Sequence, residues 1–288
     1  MIGGTRYARA ATIEEACSLL ASDDMAKVLA GGQSLVPMMS LGLARPSLLV
    51  DIGRVSDAPT TGVVDGFVQV GPTCRHVDLE TTGTPVDRAA PLLAQTAPWI
   101  AHAAIRSRGT FLGSVAHGDP AAEWPAVALA LDAELELRSV RGMRRVGAAD
   151  FFLGPLTTAM DPDEVLVAAR WPVAPAGTRA ATRELTLRHG DYAVVGVVAQ
   201  LTTAEDGAIR DARIGLLGVG PTPIRAHEAE AILVANGGGA EVVREAAALA
   251  ARPTDPASDV AASSGYRRRM VEVFVRRAVL AALGEPDS

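Results

Sequence analysis

A chain of 288 residues that is 49% hydrophobic and 21% charged holds enough apolar material for a substantial core and has the length of two domains, which excludes disordered and fibrous classes. Aromatic residues make up only 4%, and Asp and Glu outnumber Lys and Arg by 33 to 27; the resulting charge of -6 and the shortage of stacking rings argue against a polynucleotide partner. Two cysteines, Cys17 and Cys74, are too few for an iron–sulfur cluster, and neither CxxC nor HxxxH spacing occurs, so no metal site is expected and any metal redox centre belongs to another polypeptide.

The opening stretch, MIGGTRYARAATIEEA, lacks a long apolar segment, and no apolar run reaches the roughly 18 residues of a membrane span; a cytoplasmic location without membrane insertion is expected. Thr12-Ile13-Glu14-Glu15 has the form of a capping box and predicts a helix through Leu19 and Leu20, which carries Cys17. The short apolar run Lys27 to Ala30, the break at Gly31-Gly32, a Met- and Leu-rich stretch to Leu43 and the run Leu48 to Val50 closing on Asp51 predict strand, glycine turn, short helix, strand. Alternation at Phe67-Val68-Gln69-Val70 predicts a further strand, with Cys74 in the loop after it. Ala89 to Ile105 reads as mostly helical, interrupted by Pro98.

A second glycine-punctuated segment runs from Arg106 to Pro120. At its end, Asp119-Pro120 resembles an N-cap with proline in the first helical position, opening a helix to Leu131 in which Pro125 lies within the first turns or shifts the start. Strands are expected at Glu134 to Arg138 and Val165 to Trp171, and Pro172, Pro175 and Gly177 form the best linker. Long apolar strands follow, Ala193 to Leu201 and Ala212 to Gly218, then Ala-rich helices with loops at Gly237-Gly238-Gly239 and Pro253 to Pro256. Strands followed by helices predict a separate α+β domain, which divides the chain into 1–176 and 177–288.

Two segments carry candidate chemistry. Ala30-Gly31-Gly32-Gln33-Ser34-Leu35 lies between a strand and a helix, where glycines admit a ligand close to the backbone, outward amides meet an anion and Ser34 adds a hydroxyl; this suits a pyrophosphate, and a tight strand-to-helix turn explains the same residues. Thr110, Gly113 and Ser114 repeat the combination about eighty residues later, with Asp119 and Glu123 as acceptors. A GxxxxGK[ST] phosphate loop is absent, and the nearest approach to GxGxxG, Gly218-Val219-Gly220, has Pro223 in place of the third glycine. A dinucleotide, if bound, is bound by another fold.

The segments Ala30 to Pro37, Arg106 to Thr110 with Gly113-Ser114, Ala116 to Glu123, Gly190-Asp191-Tyr192-Ala193, Val219 to Arg225 and Tyr266-Arg267-Arg268 occur in an order that resembles the FAD-binding medium subunit of molybdenum hydroxylases, the relatives of aerobic carbon monoxide dehydrogenase and xanthine dehydrogenase. The resemblance implies a two-lobed FAD-binding domain followed by a smaller α+β domain, an antiparallel sheet with helices. It implies FAD between the two lobes, with Ala30, Gly31, Gly32, Gln33, Ser34 and Leu35 at the pyrophosphate. Thr110, Gly113 and Ser114 would contact the dinucleotide, Val115 and Ala116 the isoalloxazine, Glu123 would be an acidic ligand, Leu166 would meet the pyrimidine edge, and Asp191 and Tyr192 would approach from the second domain. The chain would be an oxidoreductase subunit in a higher-order heteromer. It would take electrons from a small [2Fe–2S] subunit, fed by a large molybdopterin subunit, and pass them to NAD, oxygen or a quinone. No catalytic base is expected on it. Where the family usually reads Thr-Ile-Gly-Gly, this chain has Thr110-Phe111-Leu112-Gly113; if that glycine takes a positive φ or touches the cofactor, Leu112 costs about one to a few kcal/mol of strain or shifts the loop.

His117, alone in a glycine turn, reads as a hydrogen-bonded structural residue, and both cysteines as small buried fillers. The arginines at 267–269 and 276–277 interleave with Tyr266, Met270, Val273 and Phe274 at helical period, which predicts a solvated or partner-facing helix face instead of a nucleic-acid patch. Two rival functions remain: a self-contained flavin oxidase, which needs a substrate pocket with a base beside the ring, and a scaffold that has lost FAD.

Overall fold

The computed structural model describes residues 4–286; residues 1–3, the start of the stretch read for a leader, and residues 287–288, the end of the second expected domain, lie outside it. The first lobe holds β1 (Arg6–Arg9), α1 (Ile13–Ala21), β2 (Ala26–Leu29), α2 (Leu35–Ser40) and β3 (Leu48–Asp51), with the strands parallel in the order β1-β3-β2. The Thr12 hydroxyl accepts from Glu15 N at 3.1 Å, and the Glu15 carboxylate reaches back to Ala11 N at 2.7 Å, one residue before the cap. The Thr12 half of the capping box forms, Glu15 serves the amide before the cap instead of that of Thr12, and α1 buries Ile13, Ala16, Cys17 and Leu20.

The second lobe contains β4 (Gly62–Val64), β5 (Phe67–Val70), α3 (Pro85–Ala89), α4 (Pro91–Thr96), α5 (Ala103–Arg106), α6 (Phe111–His117), α7 (Glu123–Ala130), β6 (Glu134–Ser139), β7 (Gly142–Gly147), α8 (Ala148–Phe151), the two short strands β8 (Phe152–Gly154) and β9 (Thr157–Thr158), and β10 (Val165–Pro172). Its main sheet is antiparallel in the order β4-β5-β10-β6-β7. The helical stretch expected from Ala89 to Ile105 is broken into α4, a 3-10 turn at Ala97–Trp99 and α5. Pro98 supplies no N–H there, and Ala101 takes a φ of 44°. Arg106 holds the break by donating to the Ile100 and Ala101 carbonyls at 3.0 and 3.1 Å while pairing with Glu80 at 2.5 Å.

β10 joins the two lobes. Val165 and Val167 enter the core of the first lobe, whereas Leu166, Ala169 and Trp171 enter that of the second, and a register shift lies between Leu166 and Ala168. One strand serving two cores needs both of its faces apolar, which is what its sequence provides.

After residues 173–177, β11 (Thr178–Leu185), β12 (Val195–Thr203), β13 (Ile209–Leu217) and β14 (Ile224–Arg225) form an antiparallel sheet in sequence order, followed by α9 (His227–Asn236), α10 (Ala240–Ala251) and α11 (Ser264–Leu283). One face of the sheet packs on α9 and α11; the other lies on α4 and α7 of the second lobe. The approach to α7 is close, since a Cβ on Gly215 would stand 2.6 Å from the Ala126 carbonyl oxygen.

Two expectations are corrected. Asp119 and Pro120 do not open the helix: α7 begins at Glu123 with Ala122 as its N-cap, the Asp119 carboxylate accepts from Ala121 N at 2.9 Å within a turn, and the Pro120 carbonyl accepts from Gly218 N at 2.8 Å. Domain contact has taken the carbonyl of the expected first helical residue. Arg267 is not on a solvated face either. It is 7% exposed and donates to the Val194 and Gly218 carbonyls at 2.5 and 3.2 Å and to Asp259 at 2.7 Å, so part of the basic run ties α11 to the strand ends.

Candidate cofactor site

The two glycine segments meet. The first leaves β2 at Ala30 and turns at Gly32, whose φ of 72° suits glycine, before α2 begins. A Cβ on Gly31 would lie 2.6 Å from Gly109 Cα and closer still to the Arg108 carbonyl oxygen; one on Gly113 would lie 3.7 Å from Ala30 Cβ. Among the described residues the N–H groups of Gly32, Gln33 and Ser34 donate to no protein acceptor, and the Ser34 hydroxyl does not cap α2. The cleft between the loops is lined by Ala30, Thr110, Ile52, Thr73, Arg75 and Arg108, of which both arginines are exposed. Chain reading missed the arginines, although Arg108 stands inside the quoted segment. Two cations beside a glycine loop are the available signal.

Thr110 N-caps α6, its hydroxyl accepting from Gly113 N at 3.1 Å. Leu112 therefore sits in regular helix, only 2% exposed in the core, and carries no positive φ. The strain expected at this departure from the family pattern is absent. The left-handed residue comes instead at Gly118, the C-cap of α6, with φ 64°.

The loop rests on buried aromatic residues. The Trp124 indole N–H donates to His76 Nδ1 at 2.8 Å, Phe111 stacks on Trp124 with centroids 4.8 Å apart, and the His76 ring lies so near Gly109 that a Cβ there would be 2.6 Å from Nε2. Burial, and then Arg106, push the His76 pKa down to about 4. The folded ring is thus neutral and the unfolded chain binds more protons between about pH 6.5 and about 4, so stability falls on acidification across that window. Trp124→Phe removes the donor to a buried acceptor, with an expected loss of about 1–3 kcal/mol. Thermal unfolding at successive pH values measures both effects, and a flat acid limb in the wild type with an unchanged melting point in the variant would refute them.

At the far end of α6, about 10 Å along its axis by helical rise, a second group of residues collects. His117 is half-buried, and burial pushes its pKa down against the pull of Asp119. Glu123 is 7% exposed, and burial pushes its carboxyl upward. Tyr192 stands at this place from the second domain with 60% of its surface exposed, while partial desolvation of its hydroxyl and then the charges of Asp119 and Glu123 push its phenol up. The neighbouring Gly190, with φ 85°, sits against the His102 ring, where a Cβ would come within 2.5 Å of Cε1. Asp191 is exposed, its N–H closing a turn on the Arg188 carbonyl.

Of the remaining expected residues, Gln33, Ser34, Leu35, Ser114 and Ala116 are half-buried. The Val115 side chain is fully buried in the second-lobe core and Leu166 is 4% exposed in the same core, so neither offers its side chain to a cleft. The structure brings Ala30 and Gly31 together with Gly109, Thr110 and Gly113 at the start of α6, and sets the charges of Asp119 and Glu123 near Tyr192 beyond its far end.

Comparison with known proteins agrees with this geometry. Residues 3–174 match the family model described as FAD binding domain in molybdopterin dehydrogenase, and residues 180–282 that of the CO dehydrogenase flavoprotein C-terminal domain. The chain is 40% identical to the 6-hydroxypseudooxynicotine dehydrogenase complex subunit alpha of Paenarthrobacter nicotinovorans, over 96% of this chain and 94% of that one. It is 34% identical to the carbon monoxide dehydrogenase medium chain of Hydrogenophaga pseudoflava, over 94% of each. The solved quinoline 2-oxidoreductase of Pseudomonas putida 86 superposes with a TM-score of 0.91 at 34% identity, covering 97% of both chains. With both domains matched in order and along nearly the whole length, this chain belongs to the FAD-binding medium subunits of the molybdenum hydroxylase family.

Proposed function

We propose that the chain carries FAD between its lobes and relays electrons from iron–sulfur clusters of a small partner subunit, themselves reduced by a large molybdopterin subunit, to an external acceptor. The observation that carries the reading is the contact of the two glycine segments. Gly31 and Gly113 leave no room for side chains, the amides of Gly32, Gln33 and Ser34 are unpaired, and Arg75 and Arg108 line the cleft between the two loops, a donor set that fits a pyrophosphate. In this reading Ala30 to Leu35 hold the diphosphate, Thr110, Gly113 and Ser114 the adjoining chain, and Val115, Ala116 and Leu166 contribute backbone. Glu123, Asp191 and Tyr192 close the other end.

FAD, when bound, supplies a redox centre that accepts electrons one at a time and returns them in pairs. The protein residues bind and orient it. In this reading Arg75 and Arg108 neutralise the diphosphate, the Thr110 hydroxyl fixes the start of α6, and Tyr192 approaches from the second domain. The domain division at residue 176 follows from the same reading, with the cofactor on the first domain and the second serving as its cover.

Titration of the cofactor-free chain with FAD tests the seat. A single site with a shifted flavin absorption band, and release of FAD on denaturation, is the expected result; a folded chain that takes up no FAD contradicts it and favours the scaffold.

A further inference from the structure

The second domain contributes one polar group that no contact explains. Glu184 on β11 is 8% exposed, and neither of its carboxylate oxygens has a hydrogen-bond partner. Strand alternation turns Ala180, Thr182 and Glu184 toward the first domain and Arg183 to the opposite face of the sheet. On the inward face its cross-strand neighbours on β12 and β13, Gly196 and Leu217, carry no charge. From the first domain, α4 presents Thr96, whose hydroxyl lies 2.7 Å from that of Thr182, and α7 presents Glu123 at its first position. The ionisable groups acting on this place are thus Glu123 and Asp119 from the first domain and Glu184 and Tyr192 from the second. Among the described residues no ion pair reaches Glu123 or Glu184. The junction around them is closed, as the contacts of Gly215 with Ala126 and of Gly218 with Pro120 require.

The cross-strand row of Glu184 runs through Gly196 and Leu217 to Gly218, which bonds Pro120 three residues before Glu123, so the two buried carboxyls share one junction. Two buried carboxyls in one junction without a cation cost least when one of them keeps a proton, because a second negative charge in the same low-dielectric space is repelled and unsolvated. We propose that Glu123 and Glu184 form a carboxyl pair shared by the two domains, which holds one proton whenever the junction is closed, so that the junction is itself a proton-binding site. Burial pushes both carboxyls up from the usual range, and the charge of Glu123 adds to the push on Glu184. A group with a raised folded pKa binds more protons folded than unfolded. The stability that it contributes is therefore complete below the ordinary carboxylate range, about pH 4, and is lost as pH rises through the raised one. Since Glu123 also belongs to the proposed cofactor wall, FAD affinity should weaken over the same interval; this last consequence alone rests on the cofactor reading.

Unfolding of the full chain without FAD, followed from about pH 5 to about pH 9, tests the pair directly. One linked proton raises the unfolding constant by up to about tenfold per pH unit. Relative to wild type, Glu184→Gln and Glu123→Gln should each weaken that component and be the more stable protein at the alkaline end, and the double variant should lose it. Infrared spectroscopy of the wild type at neutral pH should show the carbonyl band of a protonated carboxylic acid, which disappears in the double variant. An unchanged pH slope in both single variants, or no such band in the wild type, overturns the proposal. Should Glu184→Gln fail to fold, Glu123→Gln and the wild-type band still decide it. A chain that passes these tests yet binds no FAD refutes the cofactor seat and leaves the pair standing.

Discussion

Gly31→Val is expected to leave the chain folded but empty of flavin. A Cβ at this position runs into backbone, the Arg108 carbonyl and Gly109 Cα at 2.6 Å, and backbone cannot swing aside as the end of a flexible side chain can. Gly109 is itself pinned from behind by the His76 ring, and its carbonyl accepts from His76 N at 3.0 Å. The strain must therefore be relieved by separating the two loops, at a cost of about 1–3 kcal/mol in stability. The larger effect falls on the cofactor. Parting the loops moves the first glycine turn, with the free amides of Gly32, Gln33 and Ser34, away from the Arg108 segment that lines the cleft, and losing two charge-assisted hydrogen bonds at about 1.5–3 kcal/mol each weakens FAD binding by more than about a hundredfold. Equilibrium titration with FAD, alongside thermal unfolding, separates the two effects. Near wild-type affinity in a folded Gly31→Val protein would show that the glycine contact does not shape the seat.

Arg225→Ala should give the largest loss of stability without touching the glycine loops. The Arg225 guanidinium bridges Asp132 of the first domain and Glu230 of α9, the latter at 2.9 Å, while Glu230 also accepts from Ile214 N at 2.7 Å. Asp132 takes a second cation, Arg213, at 2.8 Å. Glu230 is 7% exposed, so removing Arg225 leaves a buried carboxylate with one amide and the imidazole of His227. Breaking a buried pair from one side costs about 3–5 kcal/mol, on the order of 10 °C in melting temperature for a chain of this size. Arg225→Met combined with Glu230→Gln should regain most of the loss, because the neutral amide leaves no stranded charge and keeps an acceptor for Ile214 N. A drop below about 1 kcal/mol in the single variant would mean that water reaches Glu230 and that the bridge contributes as little as an exposed one.

Reading along the chain located the elements whose local signals and tertiary roles agree. The Thr12 cap, the glycine turn after β2 and the apolar β12 and β13 stand where their sequences place them, and both cysteines are buried. Elements whose pairing overrides local preference were illegible. β11, Thr-Arg-Ala-Ala-Thr-Arg-Glu-Leu, is rich in helix formers and becomes a strand because β12 pairs with it along its whole length. β1 is a short edge strand with mostly exposed residues and offers no alternation to detect. At the site, the glycines and hydroxyls were visible because close backbone approach demands those residue types. Asp119 was misread because a turn and a domain contact use the same Asp-Pro signal as a helix start. Arg267 was misread because a buried arginine with carbonyl partners looks, in sequence, like any other member of a basic run. Glu184 gave no signal at all, since only the docking of the domains makes an ordinary glutamate a buried one.

The substrate chemistry of the relatives differs while the chain architecture stays constant: their names refer to a pyridine alkaloid derivative, carbon monoxide and quinoline. This fits a subunit that the organic substrate does not touch. The relay is tested most directly by single-turnover reduction of the assembled complex, comparing wild type with a complex whose medium subunit carries Gly31→Val. The account predicts that substrate still reduces the iron–sulfur clusters of the variant complex, read by their paramagnetic resonance, while reduction of the external acceptor is lost. Acceptor reduction at the wild-type rate in the flavin-free complex would contradict it.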